Sequence, residues 1–146
     1  MATAASNAWQ FAASGNNLLV TDLVGDTDAD GIKDYWAMQY FSARNVDKAA
    51  DGDGDGMINY AEFVAGTDPT SKSSVFALSG IAPAATGFEV RWLSAAGRRY
   101  TLLKSETLDG TFTPVVTGLT ANPPENSYTD DEATGATAFY KIRVEE

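Results

Sequence analysis

The sequence predicts an α+β chain: acidic loops alternating with short helices, followed by an antiparallel β-sandwich. Three observations carry this reading. An Asp/Gly pattern recurs after 25 residues, Asp26-Thr27-Asp28-Ala29-Asp30-Gly31 aligning with Asp51-Gly52-Asp53-Gly54-Asp55-Gly56. Each copy leads into a stretch with helical spacing of its apolar residues. From Phe88 onward, apolar and polar residues alternate with a period of two, between turn-forming clusters.

The elements follow in order. Residues 1–24 hold two apolar stretches, Trp9 to Ala13 and Leu18 to Val24, split by Ser14-Gly15-Asn16-Asn17, which reads as two strands around a turn. Residues 25–72 form the loop–helix–loop–helix stretch. Its first helix is expected between Asp34 and Arg44, free of Gly and Pro, with Trp36, Tyr40 and Phe41 at helical spacing and Trp36 and Tyr40 in a shared core. Its second runs from Tyr60 to Ala65, with Gly66 as the stop and Pro69 three residues beyond. Met57 and Ile58 are expected to pack between the two loops. Residues 73–146 form the β region. Phe88, Val90 and Trp92 share one face; Tyr100 with Leu102, and Tyr140 with Ile142 and Val144, repeat the alternation. Turn signals at Ala95-Ala96-Gly97, Asp109-Gly110, Asn122-Pro123-Pro124 and Thr134-Gly135 separate these runs, so six or seven short strands are expected.

Composition excludes several kinds of chemistry. The 146 residues contain no cysteine and no histidine, which removes disulfides, Cys or His zinc sites, iron–sulfur clusters and His-dependent triads. A formal net charge of −10 repels phosphate backbones, so no nucleic-acid partner is expected. No run of 18 apolar residues offers a membrane span. The opening residues show no signal-peptide pattern, which does not place the chain in the cytosol. Nine of the 20 acidic residues lie between Asp26 and Glu62, a crowding that destabilises a fold unless cations neutralise it.

Calcium is the cation this pattern suits. It takes six to eight oxygens, and a short loop supplies them when acidic residues alternate and a glycine permits the sharp turn. In the second loop Asp51, Asp53 and Asp55 fill positions 1, 3 and 5, and Gly56 fills position 6. Met57 offers its carbonyl from position 7, Asn59 its side chain from position 9, and Glu62 two oxygens from position 12. These residues complete the D-x-[DN]-x-[DN]-G-x₅-E pattern. In the first loop Asp26, Asp28, Asp30, the Ile32 carbonyl and Asp34 occupy the matching places, but Ala37 stands at position 12. That loop therefore binds more weakly or draws a ligand from elsewhere, with Asp22, Asp47 and Asp68 as candidates. One or two calcium ions are expected. Magnesium, which prefers a tight octahedron with several waters, is disfavoured.

The run DTDADGIKDYWAMQYF…DKAADGDGDGMINYAEFVAGTDPT resembles the dockerin and thrombospondin type 3 class of calcium repeats. It is similar, more closely, to a paired-repeat module found near the C-termini of large secreted bacterial proteins. The match covers Asp26, Asp28, Asp30, Asp34, Asp51, Asp53, Asp55, Asn59, Glu62 and Gly66 to Pro69, and departs at Ala37, where that family usually carries Glu. Members often continue into a small immunoglobulin-like or fibronectin type III-like sandwich, to which GRRYTLLKSETL…TAFYKIRV is similar. The resemblance implies a non-catalytic extracellular module in which calcium stabilises a structural, surface-assembly or adhesion protein. Two alternatives stand beside it: a dockerin-like protein–protein interaction module, and a carbohydrate-binding accessory module of a secreted enzyme. The partners implied are calcium and either other protein subunits or a surface polysaccharide. The helices differ in length and chemistry, which disfavours paired dockerin-type recognition. Sugar binding would need exposed aromatics, for which Phe112 and Phe139 are the candidates. Residues 1–21 could add as a strand to a neighbour, although a hairpin packed on its own chain is the commoner arrangement. A glycosidase would need two facing carboxylates, but most carboxylates are explained by the loops, and Asp130, Asp131 and Glu132 read as a solvated turn.

Overall fold

The computed structural model describes residues 25–133 and 137–145. The expected strands within residues 1–24 lie outside this range. The described residues form mostly antiparallel β-sheet with two short helices, in a sandwich-like arrangement.

Helix α1 spans Asp34–Phe41 and helix α2 spans Asn59–Ala65. The first is shorter than the sequence suggests. Ser42 takes a left-handed backbone (φ 54°) and its N–H bonds the Met38 carbonyl, ending the helix at Phe41, three residues before Arg44. Helix α2 stops where expected, at Gly66, whose φ of 79° favours a residue without a Cβ. Neither helix is long enough to be stable alone in water. Packing holds them: the Trp36 ring meets Tyr40, Phe41 and Phe63 with centroids 5.1, 5.8 and 5.7 Å away, around buried Ile32 and Ala37. The expected aromatic core is therefore present. Ile58, expected to pack between the loops, is exposed, and Met57 is half-buried.

Six strands follow among the described residues: β1 Leu78–Pro83, β2 Phe88–Leu93, β3 Arg99–Ser105, β4 Thr113–Thr120, β5 Glu125–Asp130 and β6 Phe139–Glu145. They pair as two antiparallel sheets, ordered β1-β2-β5 and β4-β3-β6. Val90 on β2 packs with Leu102 on β3 and Tyr140 on β6, joining the two sheets through one apolar layer. Trp92 is fully buried with its ring edge-on to Tyr100 at 5.9 Å. The alternation read from the sequence thus faces inward, as a two-sheet packing requires.

A polar cluster crosses the same interior. Lys104 Nζ on β3 lies 2.7 Å from Asp130 Oδ2 on β5, and the Tyr140 hydroxyl on β6 donates to the same oxygen at 2.9 Å. Asp130 is only 2% exposed, so its reading as part of a solvated turn is wrong: it ends a strand and points inward. Phe112 and Phe139 are also not exposed. Both are half-buried, and the Lys141 ammonium covers the Phe112 ring at 3.9 Å.

Candidate metal centre

The two acidic loops fold alike because their backbone donors find the same carboxylates. In the first loop Asp26 accepts from the N–H groups of Asp30 (3.1 Å) and Gly31 (3.0 Å). In the second Asp51 accepts from Gly54 (2.7 Å), Asp55 (3.2 Å) and Gly56 (3.0 Å). At position 5, Asp30 accepts from Ile32 N–H and Asp55 from Met57 N–H, both at 2.7 Å. Position 9 closes each loop through the backbone, Asp34 N–H to the Gly25 carbonyl (2.9 Å) and Asn59 N–H to the Ala50 carbonyl (2.8 Å). Gly31 and Gly56 share the position-6 conformation, with φ of 98° and 101°.

Position 4 shows how the copies differ. Ala29 carries φ 57° where Gly54 carries 75°. An L-residue there is strained by about 1–2 kcal/mol, partly offset by its smaller entropy loss on folding. Ala29→Gly is expected to stabilise the first loop by about 0.5–1 kcal/mol, read from urea unfolding at fixed calcium.

The loops bring their acidic ligands together. Carboxylate oxygens of Asp26, Asp28 and Asp30 lie within 4.8 Å of one another, as do those of Asp51, Asp53 and Asp55. Exposed acidic groups gather without an ion often enough that this alone decides nothing. The second loop adds what the first lacks. Asn59 is 2% exposed and Glu62 is 0% exposed. Asn59 Oδ1, Glu62 Oε2, Asp53 Oδ2 and Asp55 Oδ2 are all buried with no hydrogen-bond partner among the described residues. Four orphaned oxygens in one loop are a large cost, since burying an unpaired polar atom costs about 1–3 kcal/mol and more when it is charged. The rest of the set is held in place: Asn59 Nδ2 donates to the Asp47 carbonyl at 2.8 Å, and Thr67 Oγ1 lies 3.4 Å from Glu62 Oε1. Burial, followed by the charges of Asp53 and Asp55, pushes the Glu62 carboxyl up to about 7. A hard cation with oxygen coordination would satisfy all four oxygens and cancel that repulsion. The donor set fits calcium: acidic and amide oxygens only, with a carbonyl at Met57 and no nitrogen or sulfur ligand.

In the first loop the position-9 carboxylate has another occupation. Asp34 is 0% exposed, yet one oxygen accepts from Thr27 N–H at 3.0 Å, and the other accepts from the Thr27 hydroxyl and lies 3.9 Å from Arg44. These hydrogen bonds, led by that of the Thr27 hydroxyl, hold Asp34 below its ordinary carboxylate value. Position 12 is Ala37, 1% exposed and without a side-chain oxygen. Lys48 Nζ also donates to the Asp30 carbonyl at 2.9 Å. The first loop is thus braced by Thr27, Arg44 and Lys48, where the second leaves side-chain oxygens unpaired among the described residues. Thr27 and Arg44 escape a sequence reading, because position 2 carries no ligand in the pattern and Arg44 lies past the helix.

No protein-family model matches the chain, and no curated protein or solved structure matches it.

Proposed function

We propose that this chain is a non-catalytic calcium-binding module, with the ion held in the second loop by Asp51, Asp53, Asp55, the Met57 carbonyl, Asn59 and Glu62. The observation that carries the reading is the set of unpaired buried oxygens at Asp53, Asp55, Asn59 and Glu62. The first loop, with Asp26, Asp28, Asp30 and the Ile32 carbonyl, is a weaker second site, since Asp34 is engaged by Thr27 and Ala37 offers no oxygen. The resemblance to dockerin and thrombospondin type 3 repeats, and to the immunoglobulin-like sandwiches that follow them, supports an extracellular structural or adhesive setting. There the ion acts through stability, by binding the folded loop and not the unfolded one. Among the described residues no helix is long and apolar enough to cross a membrane.

Calorimetric calcium titration of the wild type, Asp51→Ala and Asp26→Ala tests the ranking. Asp51→Ala should remove the tightest site, while Asp26→Ala should leave its affinity within about two- to threefold, as expected of separate sites. An Asp26→Ala effect larger than that of Asp51→Ala would reverse the assignment.

A further inference from the structure

We propose that Arg98 is a positioning residue that couples the second loop to the β-sheets, so that calcium there orders the turn between β2 and β3; this rests on the calcium reading above. The path runs through α2. The backbone carbonyl of Glu62 accepts from Gly66 N–H (2.7 Å) and Thr67 N–H (3.1 Å), so the ligand at position 12 also anchors the end of its own helix. The next residue, Phe63, presents its carbonyl to Arg98, whose Nη2 donates at 2.7 Å. Phe63 lies in the last turn of α2, where carbonyls have no helical partner and a cation is favoured by the helix dipole.

The approach is close. A Cβ added at Gly66 would lie 3.0 Å from the Ala95 Cβ and 3.2 Å from Arg98 Nε, so α2 sits directly against the turn. Arg98 in turn ties the sheets. Its N–H bonds the Ala95 carbonyl at 3.3 Å, and its carbonyl accepts from Ala121 N–H at 3.0 Å, just past β4. Ala95 N–H donates to the buried Tyr100 hydroxyl at 2.8 Å, and the Tyr100 ring stacks on Phe76 at 5.8 Å. Arg98 Nε is buried with no partner among the described residues, a cost tolerated while the Phe63 contact holds the side chain.

Helix α2 has seven residues, and its first turn carries Glu62, whose Oε2, like Oδ2 of Asp53 and of Asp55, is buried with no partner among the described residues. Without a cation to pair those oxygens α2 loosens, and with it the Phe63 carbonyl. Linkage then requires the reverse effect: a contact favoured by calcium must itself tighten calcium binding, by the same factor.

The test uses the whole chain. Calcium titration by calorimetry compares the wild type with Arg98→Met, which keeps an apolar stem against Gly66 and Ala95 but loses the guanidinium. Hydrogen exchange of the Arg98 and Ala121 amides is followed in millimolar calcium and in chelator. The expected result is a loss of about fivefold or more in affinity for Arg98→Met. Wild-type exchange at those two amides should be slowed by calcium by a similar factor, without a comparable change at Val90 or Leu102. Equal affinities in the two proteins, or wild-type exchange at Arg98 and Ala121 that ignores calcium, overturn the coupling while leaving the calcium site intact. Absence of calcium binding by the wild type overturns both. The exchange measurement needs no variant, so a misfolded Arg98→Met still leaves it decisive.

Discussion

Replacing Glu62 by glutamine will have opposite effects with and without calcium. In calcium-free buffer at pH 8 the variant is expected to be more stable than the wild type, by about 1–2 kcal/mol. Glu62 is fully buried, and burial together with Asp53 and Asp55 raises its carboxyl to about 7, so at pH 8 the folded state holds a charge that an amide removes. With calcium the order reverses. At a free concentration one hundred times the wild-type dissociation constant, binding stabilises the wild type by about 2.7 kcal/mol. A variant bound a hundredfold more weakly gains only about 0.4 kcal/mol. Urea unfolding of both proteins with and without calcium gives four free energies and an explicit crossing. A variant less stable under both conditions would mean that Glu62 serves packing and hydrogen bonding to Thr67 instead of a cation.

The second large effect lies away from the metal. Lys104→Met is expected to destabilise the sheets by about 3 kcal/mol, because it strands the buried Asp130 carboxylate with the Tyr140 hydroxyl as its one remaining side-chain partner among the described residues. Lys104 is itself 26% exposed, which keeps the expectation at the low end of the range for buried pairs. The pH dependence follows from the direction of the Asp130 shift. Burial works to raise its value, but the hydrogen bonds of Lys104 and Tyr140, with the lysine's charge, outweigh it and hold the carboxyl below the ordinary 3.8. A depressed carboxylate contributes stability that is present above its unfolded value and lost as pH falls through its folded one. The difference between wild type and Lys104→Met should therefore be full at pH 7 and shrink below about pH 4. A difference unchanged at pH 3 would show that the lysine stem, and not the ion pair, supplies the stability. Burial, then the Asp130 hydrogen bond, also raises the Tyr140 hydroxyl, so it remains a donor throughout this range.

The legible parts of this molecule are those in which chemistry repeats at short range. The loops could be read because alternate positions and then the sixth are constrained: carboxylates that accept from the turn, then a glycine with φ near 100°. The strands could be read because one face of each packs on the other sheet, leaving Val90, Trp92, Tyr100 and Leu102 in phase. Interactions set by three-dimensional approach could not. Lys104, Asp130 and Tyr140 are strangers in sequence, and the neighbours Asp131 and Glu132 are exposed, so Asp130 looked like one of three solvated acids. Ile58 looked like a core residue by composition, but it precedes α2 on the outer side of the loop. Arg98 follows a glycine turn and carries no pattern; its role depends on α2 arriving within hydrogen-bonding distance from 35 residues away.

That the four unpaired oxygens of the second loop mark a calcium site is tested most directly by diffraction at a wavelength where calcium scatters anomalously. The crystals would be grown in millimolar calcium. The expected result is one strong peak about 2.3–2.6 Å from oxygens of Asp51, Asp53, Asp55, Asn59 and Glu62 and the Met57 carbonyl, with a weaker peak or none among Asp26, Asp28 and Asp30. A map with no peak in the second loop, and with waters or the nearby Lys72 ammonium pairing those oxygens, would contradict it.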